Sequence, residues 1–465
     1  MVRPLTAAAA ATLAWILLNF VSPHAMAGSR ADEVAEIEKN IYATHPEGRR
    51  LAEEEMLRAA AQDLAEIADQ LSLAEYFMRL HQLFAIVGDG HTAVLSIGHE
   101  SEPFQLRNPI RVQLFADGMY VTEARDEALP LLGGRVTSIN DVPINEILEA
   151  YLSQAQGDNP AFAMRWSPFL FAFPGWLNGL GVVEGPYESP IKVAVFREPQ
   201  TQVAVHLQPR TGANTGRTSV ERVRMQVEVM ADAAGTQNYV EVMGQGRILY
   251  IAIDRMMDLD LLSFDAFSEI VFEAMRDPDL DRLVIDLRRN GGGNNMLPER
   301  LRRSLIKSRF NRKGGIVVLI GPRTFSAAMN FATRMERDSY ALFVGEPTGG
   351  RPNHFGDAKI FTGSATGIQY IVSSLRWQDS APFDKRIWIL PDVPAAQTYA
   401  DFIAGRDPGL EIALKIQPEE IPDDLAEAAP WNRNSQTAGW RFFFDPAANG
   451  ITGPATGIGL QDTSD

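Results

Sequence analysis

Ser326 and the triplet Gly291, Gly292 and Gly293 are the residues of this chain whose types and spacing best support covalent chemistry. The glycines follow Leu283 to Leu287, a short apolar run with Asp286 near its end, the pattern of a parallel strand buried on both faces. Glycines there can take positive φ angles and aim bare N–H groups into a cleft, as an oxyanion hole requires. The serine follows a second such run, Ile316 to Ile320, after the strand-breaking Gly321, Pro322, Arg323 and Thr324. From Ser326 onward, Ala327, Ala328, Met329, Phe331, Ala332 and Met335 support a helix. The hydroxyl would then sit where helix N–H groups and the positive dipole end point outward. Taken singly, three glycines mark a turn and a serine before a helix is an N-cap. Two such devices at the carboxyl ends of neighbouring parallel strands, where ligands bind, mark a site.

The ordered blocks VIDLRRNGGGNN, VVLIGPRTFSAA, LFVGEPTGGRPNHFGD and LPDVPA, spanning Gly246 to Ala395, carry a resemblance. They are similar to the catalytic core of the C-terminal processing peptidases, the serine-peptidase family that includes tail-specific proteases and the tricorn core. An upstream GDGHTAVL resembles the histidine-bearing segment of the tricorn-like branch. The resemblance implies an α/β fold with a Clp-protease/crotonase-like β-α-β core. It also implies Ser326 as nucleophile, with Gly291 or Gly292 and Ala327 supplying oxyanion N–H groups.

Many members of that family use a Ser–Lys dyad with the lysine in a T-x-G-K turn. Here the turn reads Thr348, Gly349, Gly350, Arg351, and an arginine does not give up its proton in a protein. The resemblance therefore points to His91 as general base, with His354 as the fallback. On its own, a histidine in a turn after a helix reads as surface decoration or a local hydrogen-bonder. The Thr92 hydroxyl could orient its ring; Asp89 could do the same, or merely start the turn. The tricorn-like arrangement wants an acid before Pro391-Asp392. That position holds Lys385, which leaves Asp384, one residue earlier, as the candidate orienting acid. The expected activity is hydrolysis of peptide bonds by a serine-type peptidase. The alternative is a non-catalytic ligand- or peptide-binding protein on the same scaffold. A crotonase-type acyl-CoA enzyme ranks last, because an exported protein would rarely meet CoA.

The elements that must position these residues read as follows. Residues 28–95 form an N-terminal helical segment, with apolar positions near a 3.6 spacing in Glu33–Ile41, Gly48–Ile67 and Leu73–Ile86, ending in the turn that carries His91. Residues 96–210 are β-rich, with strands at Ile110–Phe115, Met119–Glu123, Gly134–Ile139 and Ile191–Phe196 and a short helix at Ile144–Tyr151. The order GGRVTSINDVPINEIL resembles half of a PDZ-like module, without a clear carboxylate-binding loop. The aromatic-rich Phe162–Leu180 reads as core before it reads as a lid. Residues 211–240 read as a linker, 241–410 as the peptidase core, and 411–465 as a C-terminal extension.

Residues 1–27 have the make-up of a secretory signal: Arg3, an apolar run through Trp15 to Leu18, and Ala25-Met26-Ala27 as an A-x-A cleavage site. The expected location is periplasmic or secreted, with no stable membrane insertion after signal removal. The chain has no cysteine, so neither disulfides nor thiol chemistry enter. Its formal charge of −16 becomes −17 without Arg3, which argues against nucleic acid and anionic membranes as partners. A polypeptide substrate is the expected partner, and a homo-oligomer is compatible with the sequence. The 7 histidines are scattered without metal-ligand spacing, so neither a metal nor another cofactor is expected.

Overall fold

The computed structural model describes residues 28–95, 105–197, 201–211, 217–220, 238–259 and 261–417. The expected signal sequence, most of the linker, and the extension beyond residue 417 lie outside the described residues. The N-terminal part is helical, with α1 (Arg30–Thr44), α2 (Gly48–Glu53), α3 (Met56–Ile67) and α4 (Leu73–Ala85). Ser29 opens α1 and Ser72 opens α4, each in a reciprocal capping box, with Asp32 and Glu75 as the returning acids. Where periodicity suggested one helix over Gly48–Ile67, the chain breaks at Glu55, which takes φ 57°. The break lets Leu51 and Leu57 both reach the core. After the turn carrying His91 comes a two-residue strand, β1 (Ala93–Val94).

The β-rich part holds β2 (Ile110–Phe115), β3 (Gly118–Ala124), β4 (Arg135–Ile139), β5 (Val142–Pro143), β6 (Ile191–Arg197), β7 (Thr201–Leu207) and β8 (Thr218–Ser219). They form one antiparallel sheet in the order β2-β3-β4-β6-β7, with β5 on β4 and β8 on β3. Asn140 and Asp141, at φ 48° and 65°, supply the two left-handed positions of the tight turn between β4 and β5. Between β5 and β6 lie α5 (Ile144–Leu152) and three short helices, α6 (Pro160–Met164), α7 (Pro168–Ala172) and α8 (Pro174–Gly179). Each of those three starts on a proline, which fixes φ where no N–H is needed. Leu170, Phe171, Trp176 and Leu177 from the aromatic-rich stretch are buried, so most of it is core. That core is shared: Val34, Tyr76 and Phe84 of the helices, Val121 and Val193 of the sheet, and Tyr370 from far along the chain belong to one apolar cluster.

The third part is a βα layer. Its strands are β9 (Asn238–Met243), β10 (Ile248–Ile253), β11 (Arg282–Asp286), β12 (Ile316–Ile320), β13 (Leu342–Gly345) and, later, β18 (Val393–Pro394), in the spatial order β18-β13-β12-β11-β10-β9. All pairs are parallel except β9 with β10. Helices α9 (Phe264–Ala274), α10 (Glu299–Lys307) and α11 (Ala327–Asp338) make the crossovers. Every residue of β10, β11 and β12 is buried, because both faces are covered. Leu249, Ile251, Leu283 and Ile285 pack toward Phe267, Leu301 and Phe331, while Tyr250, Val284 and Val317 pack with Ala413 of the last helices, α12 (Tyr399–Ile403) and α13 (Pro408–Lys415). Two hairpin-like pairs complete the layer. One is β14 (Asn353–Gly356) with β17 (Leu375–Gln378). The other is β15 (Lys359–Thr362) with β16 (Gln369–Val372), and β16 also pairs with β1. The fold is the mixed α/β architecture that the sequence implies.

Candidate active site

Ser326 stands between β12 and α11 with φ 55° and ψ −126°, left-handed backbone that a non-glycine residue adopts only when its surroundings impose it. The surroundings are specific. Thr324, buried, donates its hydroxyl to the Leu287 carbonyl and accepts from the Gly321 N–H. The Phe325 N–H donates to the Asn290 carbonyl at 3.3 Å, and the Gly349 N–H to the Thr324 carbonyl at 3.1 Å. The loop after β12 is thus bolted to the loop after β11 and to the Glu346–Gly350 turn. Ser326 occupies the N-cap position of α11, but its side chain makes no capping hydrogen bond. Its Oγ lies instead 2.9 Å from His91 Nε2. The structure brings these two expected residues together across 235 positions of sequence.

The glycine turn is held by Asn290, fully buried, whose Nδ2 donates to the Ile253 carbonyl and whose Oδ1 accepts from the Gly292 N–H, both at 2.8 Å. This bond corrects one expectation. The N–H of Gly292 is engaged and does not face a cleft. What Gly292 provides is clearance: at φ 115°, a Cβ there would stand 2.6 Å from Ser326 Cβ. Among the described residues, the N–H groups of Gly291, Gly293 and Ala327 donate to no protein acceptor. Gly293 sits in a parallel bridge with Met256, in which the flanking residues make the bonds, so its own N–H faces the other way.

His91 lies between two aromatic neighbours, stacked on Phe325 at 4.4 Å and on His354 at 5.8 Å between ring centroids. Burial holds its pKa below the usual histidine range, against the opposing pull of Asp89. The Phe355 main chain also favours protonation, without closing a hydrogen bond to the buried Nδ1. The ring is therefore neutral at neutral pH, and in the tautomer that carries its hydrogen on Nδ1 the Nε2 accepts the Ser326 proton. Asp89 fixes the turn rather than the ring. It accepts from the His91 N–H at 2.9 Å and from the Thr92 and Ser373 hydroxyls at 2.6 and 2.5 Å, with His45 Nε2 at 3.5 Å. Burial opposes its ionisation, yet His45, His91 and the two hydroxyls together hold its pKa well below the carboxylate range. The Thr92 hydroxyl is spent on Asp89 and on the Ser373 N–H, so it does not orient the imidazole.

The remaining expected residues fall elsewhere. Asp384 is not brought to the pair: it accepts from the Ser380 hydroxyl at 2.6 Å and from Arg386, which also grips Glu336. An arginine two residues away and a hydroxyl four residues away capture this carboxylate locally, and the carboxylates that bear on His91 are Asp89 and, more weakly, Asp357. His354, the fallback base, has Nδ1 3.3 Å from the Arg351 carbonyl and serves as a stacking wall; burial lowers its pKa to about 4. Arg351, at the position where dyad enzymes carry lysine, is a strut: one Nη2 donates to the Gly88 and Asp158 carbonyls at 2.8 and 2.7 Å. Asp158 in turn accepts from the Gly90 N–H at 3.0 Å, so the whole turn before His91 is held from outside.

Two residues of the site escaped the sequence reading. Asn290 looked like part of a glycine turn, and an Asn-Gly step was its only signal. Arg165 lay unremarked inside the aromatic stretch. Its guanidinium is 4.0 Å from the Phe162 ring centroid and 5.2 Å from that of Phe325, within electrostatic reach of His91. No group of His, Cys, Asp and Glu among the described residues could hold a metal ion, and no described helix is long and apolar enough to cross a membrane.

The chain has the α/β fold expected of a C-terminal processing peptidase. That fold is shared with mature CPAF: the two align at a TM-score of 0.54 with 12% identity over 83% of this chain and 95% of that one. Mature CPAF complexed with lactacystin aligns at 0.56 with 13% identity over 83% and 96%, and a CPAF point mutant at 0.55 with 12% identity over 87% and 98%. No family model matches the sequence, and no curated protein matches it.

Proposed function

We propose that this protein is a serine-type peptidase of the histidine-using branch, with Ser326 as nucleophile and His91 as general base. The observation that carries the reading is the 2.9 Å contact between Ser326 Oγ and a buried, neutral His91 Nε2, on a serine held in left-handed backbone at a helix N-terminus. As Oγ attacks the scissile carbonyl carbon, Nε2 takes its proton. The resulting oxyanion is met by the Ala327 N–H and by the unengaged N–H groups of the glycine turn. Collapse expels the amine, to which His91 returns the proton; a water then repeats the sequence and frees the acyl group. Asp89 positions the turn rather than acting on Nδ1. Export through the 1–27 segment, and a PDZ-like role for the β-rich part, belong to the same proposal. The β-rich part carries a half-open pocket of about 200 Å³ lined by Leu114, Val136, Ile144 and Leu148 together with Arg135 and Asn145, a place for a peptide side chain.

The test is labelling of the purified protein with a fluorophosphonate probe. Wild type should label, Ser326→Ala should not, and His91→Ala should lose at least about a hundredfold in rate. Full labelling of Ser326→Ala would place the nucleophile elsewhere. A folded wild type that neither labels nor hydrolyses casein would leave a peptide-binding protein on the same scaffold.

A further inference from the structure

Arg165 is an enclosed guanidinium that forms no ion pair with any described carboxylate; Asp158 acts on it only at longer range. Phe162, Trp166 and Phe325 surround it at 4.0, 4.9 and 5.2 Å from ring centroid to the guanidinium carbon. Its sole hydrogen bond is a long one, 3.5 Å from Nη1 to the Pro322 carbonyl. Nε is buried with no acceptor, whereas Nη2 has none and remains open to solvent. Two other strongly buried arginines near the parallel sheet are closely paired, Arg288 with Asp286 and Asp407 and Arg386 with Glu336 and Asp384. Two charged side chains act on Arg165: Arg323, a like charge exposed on the loop that leads to Ser326, and, opposing it more weakly, the buried Asp158. Burial and then Arg323 pull its pKa down against the smaller opposing influence of Asp158, though a guanidinium stays charged at neutral pH. Enclosing a charge this way is costly unless a counter-charge arrives.

The place where one can arrive is defined. Arg165 lies against the Phe325 ring, whose own stacking partner is His91, and Phe325 directly precedes Ser326. The N-terminus of α11 opens beside it, adding positive potential. On a chain of net charge −16, Arg165 and Arg323 put two positive side chains next to the segment that leads to Ser326.

We propose that Arg165, assisted by Arg323, forms a subsite for a carboxylate of the peptide substrate close to the scissile bond. The inference rests on the peptidase reading for its position relative to cleavage. The carboxylate is either an Asp or Glu side chain or the free C-terminus of the substrate; both present the same planar acceptor to a forked donor.

The experiment uses Ala/Leu decapeptides in which each position in turn is Glu or Gln, each made with a free-acid or an amidated C-terminus. Hydrolysis by wild type is compared with hydrolysis by Arg165→Gln and Arg165→Lys. Binding of the same peptides to Ser326→Ala, and to Ser326→Ala combined with Arg165→Gln, is read by fluorescence anisotropy. The expected result is an acid preference of about tenfold to a hundredfold at one register. Arg165→Gln should abolish it and Arg165→Lys reduce it, each read as the ratio of acid to neutral peptide within one variant. A Glu-over-Gln effect assigns the side chain, and an acid-over-amide effect assigns the chain end. Acid and neutral peptides treated alike at every register would overturn the proposal, as would a preference that both Arg165 variants leave intact. Should Arg165→Gln not fold, wild type and Arg165→Lys still decide. Absence of hydrolysis and of probe labelling would sink the peptidase reading alone, because the binding arm still reports on the carboxylate subsite.

Discussion

Ser326 spends about 1–3 kcal/mol of conformational strain to stand in left-handed backbone, and the bonds of Thr324, Phe325 and Asn290 are what hold it there. The same crowding keeps His91 neutral. Protonated imidazole cannot accept the serine proton, so the labelling rate should be flat through neutral pH and fall on acidification. Because burial lowers the His91 pKa, the inflection should lie below the ordinary value of about 6.5. A pH profile of fluorophosphonate labelling reads it directly; an inflection at or above neutrality would contradict the geometry. The residue scale also shows what a sequence conveys. Ser326 could be singled out from its strand–turn–helix setting, whereas His91 came only from the resemblance of GDGHTAVL, because a histidine in a turn after a helix says little by itself. Asp384 was misplaced because adjacency along the chain says nothing about which cation a carboxylate will meet, and Arg386 was two residues away. Arg165 carried no motif at all; what singles it out is a buried Nε without an acceptor and the lack of an ion pair among the described residues.

At the scale of elements, the decisive feature is the pairing of β1 with β16, Ala93 opposite Ile371 and Val94 opposite Tyr370. It fastens the strand just after His91 to a hairpin of the C-terminal part. Tyr370 extends the same tie into the helices, where its buried ring packs on Phe84 and its hydroxyl accepts from Asn40 Nδ2 at 2.8 Å. Tyr370→Ala should cost about 3–5 kcal/mol by emptying that site. It should also lower labelling per folded molecule, because His91 loses its register against Ser326. Urea midpoints and labelling of the folded fraction check the two effects separately; full labelling at reduced stability would show that β1 alone suffices. The parallel strands were readable as continuous apolar runs. The β14–β17 and β15–β16 pairs were not read as pairs, because such short strands with mixed burial take their pairing from tertiary contacts.

For the whole molecule, buried neutral histidines set a limit on the acid side. Burial lowers the His81 pKa to about 3 and that of His354 to about 4. In the unfolded chain both would titrate near 6.5, so between that pH and the folded values the unfolded state binds more protons. Their stabilising contribution is complete above about 6.5 and is lost as pH falls toward 4 and below, on the order of a few kcal/mol each. Thermal or urea unfolding followed from pH 7 to pH 4 should show a steep decline. His81→Leu should flatten part of it, since His81 sits among Phe77 and Trp176 and bonds nothing through Nε2. An unchanged slope in that variant would refute this account. The sharing of one apolar cluster by the N-terminal helices, the β-rich sheet and β16 makes acid unfolding a collective event, although composition had suggested separable segments.

The distance of 235 residues between His91 and Ser326 has a consequence for the order of events in the life of the chain. Synthesis delivers the histidine turn long before the serine exists, and β16, which clamps that turn in place, emerges later still. The contact between the two side chains therefore waits on residues made late, whatever the helices before them have already done. On the peptidase reading proposed above, a chain whose two ends have not closed on each other would hold a serine without its base.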